Sequence, residues 1–151
     1  IYPSKPFEEY SLDEHRAVHA VNVEAALICT KAALPGMRSQ GWGRVINITS
    51  ITTSGGWENL SPYVQSKSAL TGLTRAWARE FGKWGITVNA IAPGIIRTGR
   101  LGDRARLAAE RVPLGREGTI EECAGVVEFL VTELSDYVTG RTIVIDGGMV
   151  P

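Results

Sequence analysis

RVINITSITTSGGWENLSPYVQSK, residues 44–67, reads as a strand, a turn-rich loop and the start of a helix. Arg44–Thr49 is a short β-branched run suited to a strand buried on both faces, as in a parallel sheet. The loop Ile51–Leu60 contains Gly55-Gly56 and ends at Ser61-Pro62, an N-cap with proline at the first helical position. The helix that follows carries Tyr63 and, one turn on, Lys67, so the two share a face. An isolated tyrosine titrates near pH ~10, and a fixed cation beside it is expected to favour the phenolate and lower that value. Ser50, at the strand end, is placed to hydrogen-bond the same small oxygen that Tyr63 protonates. Together they are equipment for moving a proton on or off an alcohol or carbonyl oxygen. Taken alone, the pair better suits a half-buried helix aromatic and a solvated lysine, so the rest of the chain decides.

Upstream, Ser11 and Glu14 form a capping box that starts a helix at about Leu12. Val18, Val21, Ala25, Ile28 and Ala32 give it one apolar stripe, and Pro35-Gly36 weakens its end. Downstream, the Tyr63 helix runs to about Trp84, with Gly85 as terminator. Ile86–Ala92 is a second strand, broken by Pro93-Gly94. A short helical pattern lies at about Arg104–Arg111. Thr119 and Glu122 form another capping box, opening a helix to about Glu133, and Arg141–Asp146 is a third strand closed by Gly147-Gly148. Strands alternating with helices predict an α/β fold with a parallel sheet. Such sheets bind ligands outside the carboxyl ends of their strands, the rim on which Ser50, Tyr63 and Pro93-Gly94 converge.

Composition narrows the function classes. Sixteen basic residues balance sixteen acidic ones, so no charged field is available for nucleic acid or anionic lipid. No apolar run is expected to reach membrane-spanning length, and the start lacks the layout of a signal peptide, which points to a cytoplasmic protein without a membrane partner. Cys29 and Cys123 read as two small buried hydrophobes in a reducing compartment. His15 and His19 are one helical turn apart but have no evident third ligand, so no metal is expected. The chain opens on Ile1, which points to a longer product.

Taken in order, Asn22 in its long helix, RVINITS, YVQSK, TVNAIAPGIIRT and VTGRTIVIDGG resemble the short-chain dehydrogenase/reductase family. The resemblance implies a Rossmann-like, doubly wound domain, of which residues 1–151 are the C-terminal three-fifths, contributing about three strands and their flanking helices. The family's threonine-glycine phosphate turn has no counterpart here. The implied activity is hydride transfer between NAD or NADP and a secondary alcohol or ketone, in a homodimer or homotetramer. By the same resemblance Tyr63 is the general acid/base, Ser50 binds the substrate oxygen, and Lys67 binds the nicotinamide ribose. The main chain of Asn22 holds a relay water. Pro93, Gly94, Ile96 and Thr98 run under the nicotinamide, with glycine letting the backbone approach the ring. An epimerase or dehydratase sharing the Tyr-Lys pair is one alternative, and a catalytically idle assembly module is another. Substrate walls are expected at Ile51–Trp57 and from Arg97 to about Arg111. Trp57 and Ile51 suit an aromatic or acyl group, whereas Arg97 or Arg100 suits an acid, and the sequence does not rank them.

Overall fold

A computed structural model describes residues 1–98 and 110–150. A capping box, with Glu14 N donating to Ser11 Oγ at 3.2 Å and Ser11 N to Glu14 Oε2 at 2.8 Å, opens helix α1 (Leu12–His19). A π-helical turn (Ala20–Glu24) joins it to α2 (Ala25–Gln40), which Gly41 closes in the left-handed region at φ 65°. Strand β1 (Gly43–Ile48), short helix α3 (Thr52–Gly55) and helix α4 (Ser61–Phe81) follow. Then come β2 (Ile86–Pro93), α5 (Ile120–Val131) and β3 (Thr142–Ile145). The strands form one parallel sheet in the order β1-β2-β3, pairing Gly43 with Ile86 and Ala90 with Thr142 at the starts of the two ladders. The expected α/β architecture of three parallel strands with flanking helices is what forms.

Central strand β2 is buried on both faces from Ile86 to Ala92, with Thr87 and Asn89 the polar residues inside it. Trp77, Ala78 and Phe81 of α4 close over Ile86 and Val88, and Leu34 and Met37 of α2 pack against the same cluster. Asn47 Nδ2 donates to Thr74 Oγ1 of α4 at 2.9 Å, which satisfies a polar pair inside this layer. Asn89 spans the other connection, donating to Val138 O and accepting from Arg141 N.

Several local expectations change. Pro35 and Gly36 lie inside the last turns of α2, where Leu34 and Met37 on either side of them are held by the core. Ser61 is the first helical residue rather than the cap; Leu60 stands at the N-cap and Pro62 still falls in the first turn. The apolar stripe from Val18 to Ala32 does not stay on one buried face. The π turn adds a residue to the helical repeat, so the buried positions run Val18, Val23, Thr30, while Val21 and Ile28 point to solvent. Cys29 goes outward with them and Cys123 is half-buried, so neither is the buried hydrophobe expected. By length and composition the run Leu12–Gln40 reaches what a membrane span needs, with an 18-residue window of mean hydropathy 1.3, contrary to the sequence reading. Its alanines raise that mean, while Val18 and Val23 are buried and Asn22 is bonded to Ser66 of α4. The short helical pattern at about Arg104–Arg111 and Arg100 fall outside the described residues, apart from 110–111.

Candidate active site

Hydrogen bonds continue past the strand ends and fix the rim of the sheet. Thr49 N donates to Ile91 O at 2.8 Å, Ile51 N to Pro93 O at 3.3 Å, and Gly94 N to Ile145 O at 2.9 Å. The Ser50 loop therefore lies against Pro93-Gly94, which lies against the end of β3. The short helix α3 turns back over this corner, and its Thr52 N donates to Ser50 Oγ at 3.2 Å. Gly94 is required by that corner. A Cβ on it would stand 2.8 Å from Asp146 Cβ and 2.9 Å from Asp146 Cα, so the close approach this glycine permits here is to the neighbouring strand. Asp146 itself is locked by accepting from Gly148 N and Val150 N.

Helix α4 brings Tyr63 and Lys67 to the same corner. The Lys67 Nζ lies 5.7 Å from the Tyr63 ring centroid and donates to Ile48 O at 2.8 Å, at the end of β1. Ser50, Tyr63, Lys67, Pro93, Gly94, Ile96 and Thr98 all line one cleft of about 440 Å³. Asn22 is not in its wall. Its amide nitrogen donates to Ile1 O and to Ser66 Oγ, its Oδ1 accepts from Ile1 N, and Ser66 Oγ in turn donates to Tyr63 O. Asn22 thus ties the turn of α4 that bears Tyr63 to the first residues of the chain.

The electrostatics differ from expectation. Burial raises the Tyr63 phenol above its ordinary 10.0, a hydrogen bond with Ser50 opposes this, and Tyr2 adds to the rise. Burial likewise lowers the Lys67 ammonium. The Lys67 ammonium is bonded to the Ile48 carbonyl at the end of β1. Tyr63 is therefore a proton donor at neutral pH in this arrangement. A folded chain then keeps a proton that the unfolded chain gives up, so the Tyr63 contribution to stability is full below pH 10.0 and is lost as pH rises through the folded value. Lys67 has the opposite sign: its burial penalty vanishes only above 10.5. The difference in phenolate absorbance between the wild-type chain and Tyr63→Phe is expected to titrate with a midpoint above 10.0. A midpoint near neutrality would mean that Lys67 governs the phenol after all.

His15 lies 3.4 Å from Gln65 Oε1 and packs its ring on Phe7 and Tyr10, and His19 faces Glu24 at 3.7 Å. Two elements of the cleft escaped the sequence reading. Leu60 precedes α4, and Tyr2 packs its ring edge-on against Tyr63 with centroids 5.9 Å apart. Tyr2 sits before Pro3 in a loop without periodicity, and its contact crosses from the first residues to α4, so no local signal announces it.

The donors around the cleft suit the nicotinamide end of a dinucleotide. The Lys67 ammonium has spare protons for ribose hydroxyls, and the backbone from Pro93 to Ile96 with the Thr98 hydroxyl offers the mixed donors and acceptors that a carboxamide needs.

The family model described as enoyl-(acyl carrier protein) reductase matches residues 1–150. The chain is 42% identical over 141 residues to the 3-oxoacyl-[acyl-carrier-protein] reductase FabG of Pseudomonas aeruginosa, covering 91% of this chain and 57% of that protein. It is 41% identical over 134 residues to the dehydrogenase/reductase SDR family member 4 of Sus scrofa, covering 85% and 48%. A gluconate 5-dehydrogenase from Burkholderia cenocepacia, solved with NADP and tartrate, superposes with a TM-score of 0.93 at 28% identity, covering 99% of this chain and 61% of that one. The chain thus spans about half to three-fifths of the length of the relatives it matches.

Proposed function

Because this chain belongs to the short-chain dehydrogenase/reductase family, we propose that its cleft interconverts a secondary alcohol and a ketone with NAD or NADP. The observation that carries this reading is the convergence of Ser50, Tyr63 and Lys67 with the Pro93–Thr98 segment on one cleft. When bound, the nicotinamide supplies or accepts the hydride. The protein handles the oxygen. The Ser50 hydroxyl, fixed by Thr52 N, donates a hydrogen bond to the substrate oxygen and holds it at Tyr63. The Tyr63 O–H passes its proton to that oxygen as a ketone is reduced, a step favoured by a phenol that burial keeps protonated. In oxidation the proton moves the other way, on to a phenolate. Lys67 holds the ribose and stands next in line to return a proton to Tyr63, with a water on the main chain of Asn22 continuing the path. Nothing in this sequence of steps uses a metal. A cytoplasmic setting is part of the same reading.

In the natural full-length protein, Lys67→Met is expected to raise the KM for dinucleotide and lower kcat together, each by about tenfold or more, because one ammonium serves both roles. An unchanged KM would remove Lys67 from the ribose site. An epimerase or dehydratase is separated by stoichiometry: those reactions return the dinucleotide unchanged, whereas the reading here consumes one per product.

A second copy of the chain is the proposed partner. Leu27, Ile28 and Leu34 of α2 and Trp77 and Phe81 of α4 border a groove of about 390 Å³, and Val21 and Ile28 remain exposed beside it. A two-fold contact there, within a dimer or tetramer, would cover these side chains. Sedimentation of the natural full-length protein at micromolar concentration is expected to give an oligomer that Ile28→Asp dissociates. A wild-type monomer would overturn the assembly.

A further inference from the structure

The sequence leaves an aromatic substituent and an acid as equal candidates for the substrate, and the walls of the cleft separate them. Trp57 and Tyr2 line the cleft with Tyr63 and Ser50, and they stay 39% and 51% exposed. Tyr2 is nevertheless held in place from both sides. Ile1 before it is bonded through nitrogen and carbonyl to Asn22, at 2.9 Å each, and Pro3 O after it accepts from Tyr10 Oη at 2.7 Å. The same Tyr10 proton is shared with Asn59 O at 2.9 Å, and Lys5 N donates to that carbonyl, so this segment is pinned to the loop that leads into α4. A ring fixed in this way beside the reacting oxygen costs little further ordering when a ligand covers it. Leu60 and Ile96 extend the apolar wall, whereas Ile51 is only 4% exposed and offers little surface.

Among the described residues Lys67 is the single charged side chain in the wall, and its ammonium is already engaged at Ile48 O. Arg97, the described arginine that suited an acid, is not in the wall. Its Nε donates to Glu117 Oε2 at 3.1 Å, where Arg97 N to Gly118 O and Gly118 N to Ile95 O form a small parallel bridge. Arg116 is spent on Glu122 through both terminal nitrogens and lines another cavity. Among the described residues a carboxylate drawn into the cleft would meet only the Lys67 ammonium, whose remaining protons go to the dinucleotide ribose in the reading above, whereas a flat apolar group would cover exposed aromatic surface.

We infer that the cleft selects a neutral alcohol or ketone bearing a flat apolar substituent, which covers Tyr2 and Trp57 while its oxygen sits at Ser50 and Tyr63. This rests on the hydride-transfer reading above.

The test compares three ketones in the natural full-length protein with reduced dinucleotide: acetophenone, 2-butanone and phenylglyoxylate, which adds a carboxylate to the same ring. The expected kcat/KM for acetophenone exceeds that for 2-butanone by about tenfold or more, the scale on which apolar pockets discriminate, and that for phenylglyoxylate by about a hundredfold. Trp57→Ala and Tyr2→Ala are each expected to lower the acetophenone-to-butanone ratio by about fivefold or more. Trp57→Phe and Tyr2→Phe, which keep a ring and the fold, should retain most of it. Phenylglyoxylate reduced as well as acetophenone, no preference for acetophenone over 2-butanone, or a ratio untouched by the alanine variants would each overturn the inference and leave hydride transfer standing. Reduction of none of the three, nor of any other ketone, would overturn hydride transfer and this inference with it.

Discussion

Tyr63→Phe in the natural full-length protein is expected to lower kcat for ketone reduction by about a hundredfold or more, the scale that general acid catalysis supplies. The ring stays, with its edge contact to Tyr2 and its place over Lys67, and only the proton and the hydrogen bond with Ser50 are removed. The melting temperature should accordingly move by no more than about 4 °C, the equivalent of one hydrogen bond, and dinucleotide affinity should hold. A variant that keeps its activity would mean that another group protonates the substrate oxygen. The next candidate in the cleft is the Ser50 hydroxyl.

The second large effect concerns the dinucleotide as a whole. Residues 1–151 on their own are expected to bind NAD(P)H no more tightly than about 1 mM, a free energy of about −4 kcal/mol, and to show no turnover. In the proposed reading the described site would hold a nicotinamide and its ribose but has little for a pyrophosphate, which in such folds takes a helix N-terminus after a glycine turn. The ends of β1 and β2 lead to Ser50 and to the Pro93–Thr98 segment, and the amides of Gly148 and Val150 after β3 are taken by Asp146. β1 is also an outer strand of this sheet, with Ile48 and Trp42 each 47% exposed, and an uncovered apolar edge recruits further strands or aggregates. Calorimetry on residues 1–151 that gave micromolar binding would show that the nicotinamide end alone secures the ligand.

Local chemistry explains what could be read in advance. Two capping boxes, at Ser11 and Thr119, were legible because the cap and its partner lie within one helical turn. Strand β2 was legible because a short, mostly apolar and β-branched run is bounded by Gly85 on one side and Pro93-Gly94 on the other. The cleft followed from the same local signs, since each of Ser50, Tyr63 and Pro93-Gly94 adjoins the end of a strand or the start of a helix. What failed was long-range or phase-dependent. A π turn at Asn22 has no composition of its own, and one inserted residue was enough to turn Val21, Ile28 and Cys29 outward. The direction of the Tyr63 shift was misread because helical spacing placed Lys67 on the correct face without revealing that its ammonium turns to the Ile48 carbonyl. Arg97 looked available until Glu117, a distant residue in the chain, proved to hold it.

Deuterium tracing in the natural full-length protein tests the central claim most directly. Reduced dinucleotide carrying deuterium at its hydride position is incubated with a panel of neutral ketones, and the alcohols are analysed by mass spectrometry. Deuterium should appear on the carbinol carbon in the wild-type product, one atom per molecule, and the yield should fall by about a hundredfold or more in Tyr63→Phe. Alcohol formed without deuterium, no alcohol from any ketone, or equal yields from both proteins would contradict the assignment of this cleft.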